Sequence, residues 1–525
     1  MNVREAVFDF LRRAGITTVF GNPGSTELRM LRDWPADFRY VLALQESVAV
    51  AAAAGHALGT RRPGLVSLHS AGGVGHGLGA VFNAYRDRVP LIVLAGQQTR
   101  EMLPTRPFLG ADEPATFPRP YVKLSAQPER AQDVPVALAE AYRTALTPPC
   151  GPVFLSVPED DWEQPAAAVP YRELYPDFGP SPDGVRIVAD ALNAASSPAL
   201  VIGAGVDDDR AQAEAVELAE RLAAAVWLTP LSGRSGFPED HQLFRGFLPP
   251  VRDQIAACLA GHDVVLSAGG PIFKYHVTSP GPFLAPGTRL LQLDCDPEAA
   301  AWAPVGTSVL TTVRAGLAAL LPHVHKSDRT PLPPRPTPPP APPSSAGHAI
   351  ETLRRLLPPH AVVVEEAPSH REVFHARFPI VRPGGFLTTG SGALGWGLPL
   401  AVGRALAGTA PRVVCVMGDG STMYSVQALW TAARERAPVT FVILDNGGYE
   451  AVKQLGRRQG AAGVVGTDIP GLDLVTVATG LGCPAVRASG GALEGALADA
   501  LAAEGPAVVV VPVAAEGTTA YPAGG

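Results

Sequence analysis

The chain has 525 residues, too many for one hydrophobic core, and about 150 residues per domain divides it into three or four units, with three the working number. Apolar residues make up 46% and charged residues 17%, with a formal net charge of −7, a balance that suits a large buried interior and a subunit surface partly covered by neighbours. No basic block or Lys/Arg stripe is present, so nucleic acid is not an expected partner, and Gly, Pro or a charge interrupts every apolar run short of the ~20 residues that span a bilayer, so no membrane is expected either.

The opening segment MNVREAVFDFLRRAGI lacks the basic head and apolar core of a secretory signal, which predicts a cytoplasmic protein. In the first third, helical patterns such as REAVFDFLRRAG alternate with the β-rich runs TVFGN, YVLAL, LVSLHS, PLIVLAG and PVFLSVP, which predicts a parallel sheet. After Pro158 a Pro- and acid-rich passage leads through DFGPSPDG to a second alternation, ALVIGAG, AVWLTPLSG, DVVLSAGG and RLLQLDCD. The stretch SDRTPLPPRPTPPPAPPSSAG, residues 327–347, holds too much proline for helix or ladder and reads as an extended linker. Beyond it AVVVEEA, RVVCVMGDG, VTFVILDNGG and AVVVVPV read as buried strands of a third α/β domain. The expected division is therefore 1–178, 179–326, linker 327–347 and 348–525, an α/β protein of three doubly wound parallel-sheet domains. The five cysteines, Cys150, Cys258, Cys295, Cys415 and Cys483, are scattered without a CxxC pair and read as small buried apolar residues.

GDGS, Gly418 to Ser421, ends one apolar strand, and Asn446 ends the next, 27 positions after Asp419. Ligands collect beyond the carboxyl ends of parallel strands, and an Asp, an Asn and a backbone carbonyl make a hard oxygen site suited to Mg²⁺ or Ca²⁺. Gly420 admits a close approach, and Ser421 and Tyr424 offer hydroxyls to a phosphate at the start of a helix running through SVQALWTAA. Glu46 is a single acid at the head of the small, apolar helix ESVAVAAAAGHALG, where burial would raise its pKa and suit it to proton exchange near neutrality. VIGAGVDDD lacks the third glycine of a dinucleotide turn, and AGGVGHGLGA lacks the Lys-Ser/Thr ending of a phosphate loop, so neither is read as a nucleotide site.

The GDGS pair with Asn446 resembles the thiamine-diphosphate fingerprint. FGNPGSTEL, FRYVLALQES, VSLHSAGG, PLIVLAGQQTR, FPRPYVK, FLSVPEDDW, PIFKYH and GDGSTMYSVQALWTAA resemble segments of the benzoylformate decarboxylase family, in the same order across nearly the whole chain. The resemblance implies an N-terminal pyrimidine-binding domain, a central domain and a C-terminal diphosphate-binding domain. It implies a carbon–carbon lyase that decarboxylates an aromatic or branched 2-keto acid to the aldehyde, with thiamine diphosphate and Mg²⁺ or Ca²⁺. Glu46 would serve N1′ of the aminopyrimidine. Ser25 would contact the substrate carboxylate, and His69 and His276 would move protons, although each alone has an ordinary reading as a turn residue, a core ring or a surface ring. Asp419, Asn446 and the carbonyl of Gly448 would bind the metal. Gly392 would offer its carbonyl to the 4′-amino group, Leu394 would wedge the cofactor, and Ser369 would lie near it beside Pro368, which replaces the family's usual hydroxyl residue. Phe108, Leu109, Ala451, Val452 and Leu455 would line the substrate pocket, Leu455 where the family enzyme has an aromatic ring.

Asp445 stands where the family usually has a first asparagine, and its carboxylate could alter metal preference or fold onto its own backbone. The resemblance also implies a homo-oligomer, commonly a tetramer, whose minimal active unit is a dimer with Glu46 and Asp419 of one site on different chains. A carboligase of the acetolactate-synthase type, or a non-catalytic cofactor-binding homologue, are the alternative readings.

Overall fold

The structure, a computed structural model, describes residues 1–330 and 332–515. Pro331 of the expected linker and residues 516–525 of the expected third domain lie outside the described residues. Two compact units divide the described chain, one built from Met1–Tyr175, Pro342–His370 and 391–515, the other from Pro176–Ala341 and Arg371–Gly390.

The first unit holds two parallel sheets. One is made of β1 (Thr18–Gly21), β2 (Arg39–Leu42), β3 (Gly64–Leu68), β4 (Leu91–Gln97), β5 (Ser125–Ala126) and β6 (Pro152–Pro158), in the order β2-β1-β3-β4-β6-β5. β3, β4 and β6 are buried along their whole length, which is why they read as unbroken apolar runs. From β1 the chain steps outward to β2 and then returns to the other side with β3, so the ends of β1 and β3 flank the point where the order reverses.

In the second unit β7 (Pro198–Ile202), β8 (Ala225–Leu228), β9 (Phe244–Phe247), β10 (Val264–Ala268), β11 (Arg289–Asp294) and β12 (Thr307–Leu310) run β12-β11-β10-β7-β8-β9. Two apolar clusters, one on each face of this sheet, form its core. The glycines of VIGAGVDDD serve backbone crossing there: a Cβ on Gly203 would stand 2.3 Å from the Gly269 carbonyl oxygen. Its acids Asp207 and Asp208 face Arg234.

The first unit's other sheet contains β13 (Val362–Glu366), β15 (Val413–Gly418), β16 (Val439–Asp445), β17 (Ala485–Arg487) and β18 (Ala507–Pro512), in the order β13-β15-β16-β18-β17, while the short β14 (Phe386–Thr388) falls in the second unit's part of the chain. The strands of the three sheets pair parallel, as an α/β chain requires. No helix among the described residues is long and apolar enough to cross a membrane.

The helix Glu46–Thr60 is buried nearly all round because it lies between the first sheet and the helix Gly397–Leu406. Where the two backbones meet, even a methyl group has no room. A Cβ on Gly403 would meet the Ala52 carbonyl oxygen at 1.7 Å, and one on Gly55 the Leu400 carbonyl oxygen at 2.0 Å. Backbone cannot retreat as a flexible side chain can, so Gly403→Ala should lower unfolding stability by about 3 kcal/mol or leave the chain insoluble. Gly495→Ala, on an open helical surface with nothing within 4 Å, should change it by less than about 1 kcal/mol in the same denaturation experiment.

Candidate active site

Three groups of the expected site residues form in the first unit. The first lies at the ends of β1 and β3. The turn after β1 places Ser25 exposed at the head of a short 3-10 helix, Ser25–Glu27, and His69 caps the helix Ser70–Arg86 directly after β3. Glu46 is the first residue of its helix, whose cap is the Gln45 side chain accepting from the Val48 N–H at 3.2 Å. The Glu46 carboxylate is only 7% exposed and is held at both oxygens: Asn22 Nδ2 donates to Oε1 at 3.3 Å, and His76 Nδ1 lies 3.2 Å from Oε2.

Glu27 organises this corner. It accepts the Gly24 N–H at 2.9 Å and the Thr26 hydroxyl, and its Oε2 lies 3.3 Å from His69 Nδ1, which is also 3.0 Å from Thr26 Oγ1. Burial pushes the Glu27 carboxyl above its usual range, against the pull of Thr26 and His69. Engagement of Nδ1 by Glu27 and Thr26 holds the His69 ring in one orientation. Beside it the Ser70 hydroxyl donates to the Leu109 carbonyl, which ties down the loop carrying Phe108 and Leu109; Phe108 itself is 86% exposed.

The second group lies at the ends of β15 and β16, which pair in register up to Gly418 and Leu444. Asp419 is buried; its Oδ1 accepts the Gly420 N–H at 2.7 Å, and its Oδ2 accepts those of Gly447 and Gly448 at 2.7 and 3.0 Å. The Gly448 N–H is shared with Asn446 Oδ1 at 3.2 Å, so the Asp419 and Asn446 oxygens stand together. Burial raises the Asp419 pKa while these N–H donors lower it. The Asp445 carboxylate pairs with Arg487 of β17 at 2.8 Å. The helix expected to run through SVQALWTAA is broken. Asp419–Met423 forms one short helix with Ser421 buried, Tyr424 to Gln427 turn, and Ala428–Glu435 forms the next, leaving Tyr424 56% exposed.

At the end of β13, Ser369 Oγ accepts the Ala451 N–H at 3.1 Å and so ties this turn to the helix Glu450–Arg458, which carries the half-buried Leu455 and the exposed Val452. His370 is buried with Nδ1 unpartnered, its Nε2 3.4 Å from Asn446 Nδ2, and burial lowers its pKa to about 4.

The third group is the loop Ser391–Trp396. Gly392 takes φ +83°, a conformation open to glycine, and Leu394 is half-buried. Two clasps hold the loop. Asn83 Nδ2 donates to the Ala393 carbonyl at 3.0 Å, and the fully buried Glu366 accepts the Gly395, Trp396 and Gly397 N–H groups at 2.8, 2.8 and 2.6 Å. Burial pushes the Glu366 carboxyl up to about 7 against those three donors. His276 is not part of these groups: it lies exposed in the second unit, its N–H donating to the Pro250 carbonyl at 2.8 Å. Sequence pattern gave no sign of His76, Asn83, Glu366 or His370; Asn22 and Glu27 had one, their place in the same GNPGSTE turn as Ser25.

Glu366→Gln would turn an acceptor oxygen into an amide N–H₂ facing buried N–H donors. It should destabilise the protein by about 2 kcal/mol or more in urea unfolding, which Glu366→Asp should not fully repair because the shorter side chain cannot span all three donors. His370 carries a pH dependence. Its folded pKa of about 4 lies below the unfolded value near 6.5, so the neutral ring's contribution is complete above about pH 6.5 and is lost as pH falls towards 4. Each unit of that shift is worth about 1.4 kcal/mol, so His370→Gln should remove part of the acid loss of stability measured between pH 6.5 and 4.

Models of the thiamine pyrophosphate enzymes match three stretches: the N-terminal TPP binding domain over residues 1–114, the central domain over 185–320 and the C-terminal TPP binding domain over 369–511. The chain is 42% identical over 520 residues to the benzoylformate decarboxylase of Pseudomonas aeruginosa, covering 97% of this chain and 98% of that one. The crystal structure of benzoylformate decarboxylase from Polynucleobacter necessarius superposes with a TM-score of 0.96 at 38% identity, covering 99% of this chain and 100% of that one. The thiamine diphosphate-dependent 4-hydroxybenzoylformate decarboxylase of Rhodococcus jostii RHA1 superposes with a TM-score of 0.94 at 38% identity, covering 98% and 99%. The chain belongs to the benzoylformate decarboxylase family of thiamine-diphosphate-dependent enzymes.

Proposed function

We propose that the protein converts an aromatic or branched 2-keto acid, with benzoylformate the first candidate, to the aldehyde and CO₂. The observation that carries this reading is the buried Glu46 carboxylate, held by Asn22 and His76 at the same strand ends that carry Ser25 and His69.

The residues fit the cofactor and its metal. Asp419 is a buried carboxylate with no ion pair among the described residues, and it shares one N–H with the Asn446 oxygen, the arrangement of hard oxygens that a divalent cation completes. On this reading Asp419, Asn446 and the Gly448 carbonyl hold Mg²⁺ or Ca²⁺, and Gly418, Gly420, Ser421 and Tyr424 border the diphosphate. The Gly392 carbonyl would accept from the 4′-amino group, Leu394 would pack against the cofactor, and Ser369 would stand near it. Thiamine diphosphate, when bound, supplies the cationic ring that accepts the electrons released as CO₂ leaves.

The chain's own residues then do three things. Glu46 holds and returns a proton at N1′ of the aminopyrimidine, with its carboxylate kept in one orientation by its two donors. Ser25 orients the substrate carboxylate. His69, its Nδ1 fixed by Glu27 and Thr26, and His276 deliver the proton that replaces CO₂ and take up the one given off with the aldehyde. Phe108, Leu109, Ala451, Val452 and Leu455 form an apolar wall that selects the keto acid by shape; exchanging one apolar group there is worth ~1–3 kcal/mol of discrimination and leaves the reaction type intact.

The three domains of this reading are 1–178, 179–326 and 348–525, joined after the second by the linker 327–347. The active unit is a homodimer in which Glu46 of one chain and Asp419 of another serve one cofactor, assembled into a tetramer in the cytoplasm. The exposure of Phe108 in the single chain supports a site completed by a neighbour.

The test is CO₂ and aldehyde release from benzoylformate, branched keto acids and arylpyruvates by purified protein with thiamine diphosphate and Mg²⁺. Glu46→Gln should lower kcat by at least about 100-fold, the usual weight of a positioned proton-transfer group, with cofactor still bound. Absence of aldehyde from every keto acid by a cofactor-loaded wild type would overturn the reading.

A further inference from the structure

The Glu46 carboxylate has two donors of different kinds. Asn22, in the turn after β1, takes Oε1 and cannot titrate. His76, on the helix Ser70–Arg86, takes Oε2 through Nδ1 at 3.2 Å, and its own side chain is 70% exposed while that of Glu46 is 10% exposed. The helix turn bearing His76 is fastened to the helix bearing Glu46, because Gln45 Nε2 donates to the His76 carbonyl at 3.5 Å. Nothing crowds the approach: a Cβ on Gly73, one turn earlier, would lie 3.5 Å from Glu46 Cγ, in ordinary contact.

An ionised carboxylate can only accept, so the 3.2 Å contact requires hydrogen on His76 Nδ1. A neutral histidine in water prefers hydrogen on Nε2. The pairing with Glu46 therefore selects the tautomer that free histidine disfavours, and Glu46 in turn receives a second donor that fixes its plane.

We propose that His76 is a positioning residue for Glu46, a donor that sets the orientation of the carboxylate serving the cofactor. This rests on the assignment of Glu46 to N1′ of the aminopyrimidine. Its role is donation through Nδ1, so Asn, whose Nδ2 occupies the place of the ring Nδ1, is the conservative replacement.

Two measurements test it. In cofactor-free protein labelled with [¹⁵N]histidine, the imidazole resonances of the 12 histidines are recorded, and the set belonging to residue 76 is identified by its loss in His76→Asn. Hydrogen on Nδ1 at neutral pH, moving towards Nε2 in Glu46→Gln, is the expected result; hydrogen on Nε2 in the wild type overturns the proposal. In protein loaded with thiamine diphosphate and Mg²⁺, without substrate, hydrogen–deuterium exchange at C2 of the cofactor is followed by quench and proton NMR. His76→Ala should slow it by about ten-fold, the weight of one hydrogen bond to a charged group, and His76→Asn should recover most of that loss. Exchange in His76→Ala at the wild-type rate overturns the proposal. If Glu46→Gln also exchanges at the wild-type rate, the assignment of Glu46 has failed; if Glu46→Gln stops exchange while His76→Ala does not slow it, only the role of His76 has failed.

Discussion

The contact between the helices Glu46–Thr60 and Gly397–Leu406 constrains the rest of the first unit. Backbone meets backbone where Gly55 faces Leu400 and Gly403 faces Ala52, so the helices have one depth of approach and little freedom to slide. The Ala- and Gly-rich composition of ESVAVAAAAGHALG follows from that closeness. The same contact fixes where the head of the first helix stands, and that head is Glu46. A buried, non-negotiable crossing thus sets the position of this buried carboxyl group.

Around this crossing the polar groups are held by donors rather than by cations. Glu366 is satisfied by three backbone N–H groups, Asp419 by three more, and Glu46 by two side-chain donors. Hydrogen bonds of this kind orient a carboxylate without neutralising it, which leaves its charge available for a ligand. Glu27 works differently, since it shares its oxygens between a turn N–H, a hydroxyl and the His69 ring and so converts a loop into a fixed mount for that ring.

What could be read from sequence was whatever depended on neighbours along the chain. The central strands declared themselves as unbroken apolar runs because both their faces are covered, as in β4, β6 and β16. β5, β9, β12 and β17 went unread; each lies at a sheet edge, is two to four residues long, and in β12 and β17 is largely exposed, so no apolar run marks it. The meeting of the GDGS turn with the Asn446 turn was legible because two adjacent parallel strands end there. The partners of Glu46, and the Glu366 and Asn83 clasps on the Gly392 loop, were not, because each joins residues between 24 and 310 positions apart and no local pattern encodes the meeting. The helix through SVQALWTAA was overextended for a related reason: its propensity is continuous, but turns from Tyr424 to Gln427 interrupt it.

The ion pair between Asp445 and Arg487 bears on how charge is balanced beside the Asp419 and Asn446 oxygens. The carboxylate at 445 sits one residue before Asn446, where an unopposed negative charge would alter the field at the Asp419 and Asn446 oxygens, and Arg487 on the edge strand draws it away at 2.8 Å. The two positions are therefore coupled: removing Arg487 alone would leave the Asp445 charge unopposed beside those oxygens, whereas removing both would take the charge away with its partner, so the effects of the two substitutions would not add.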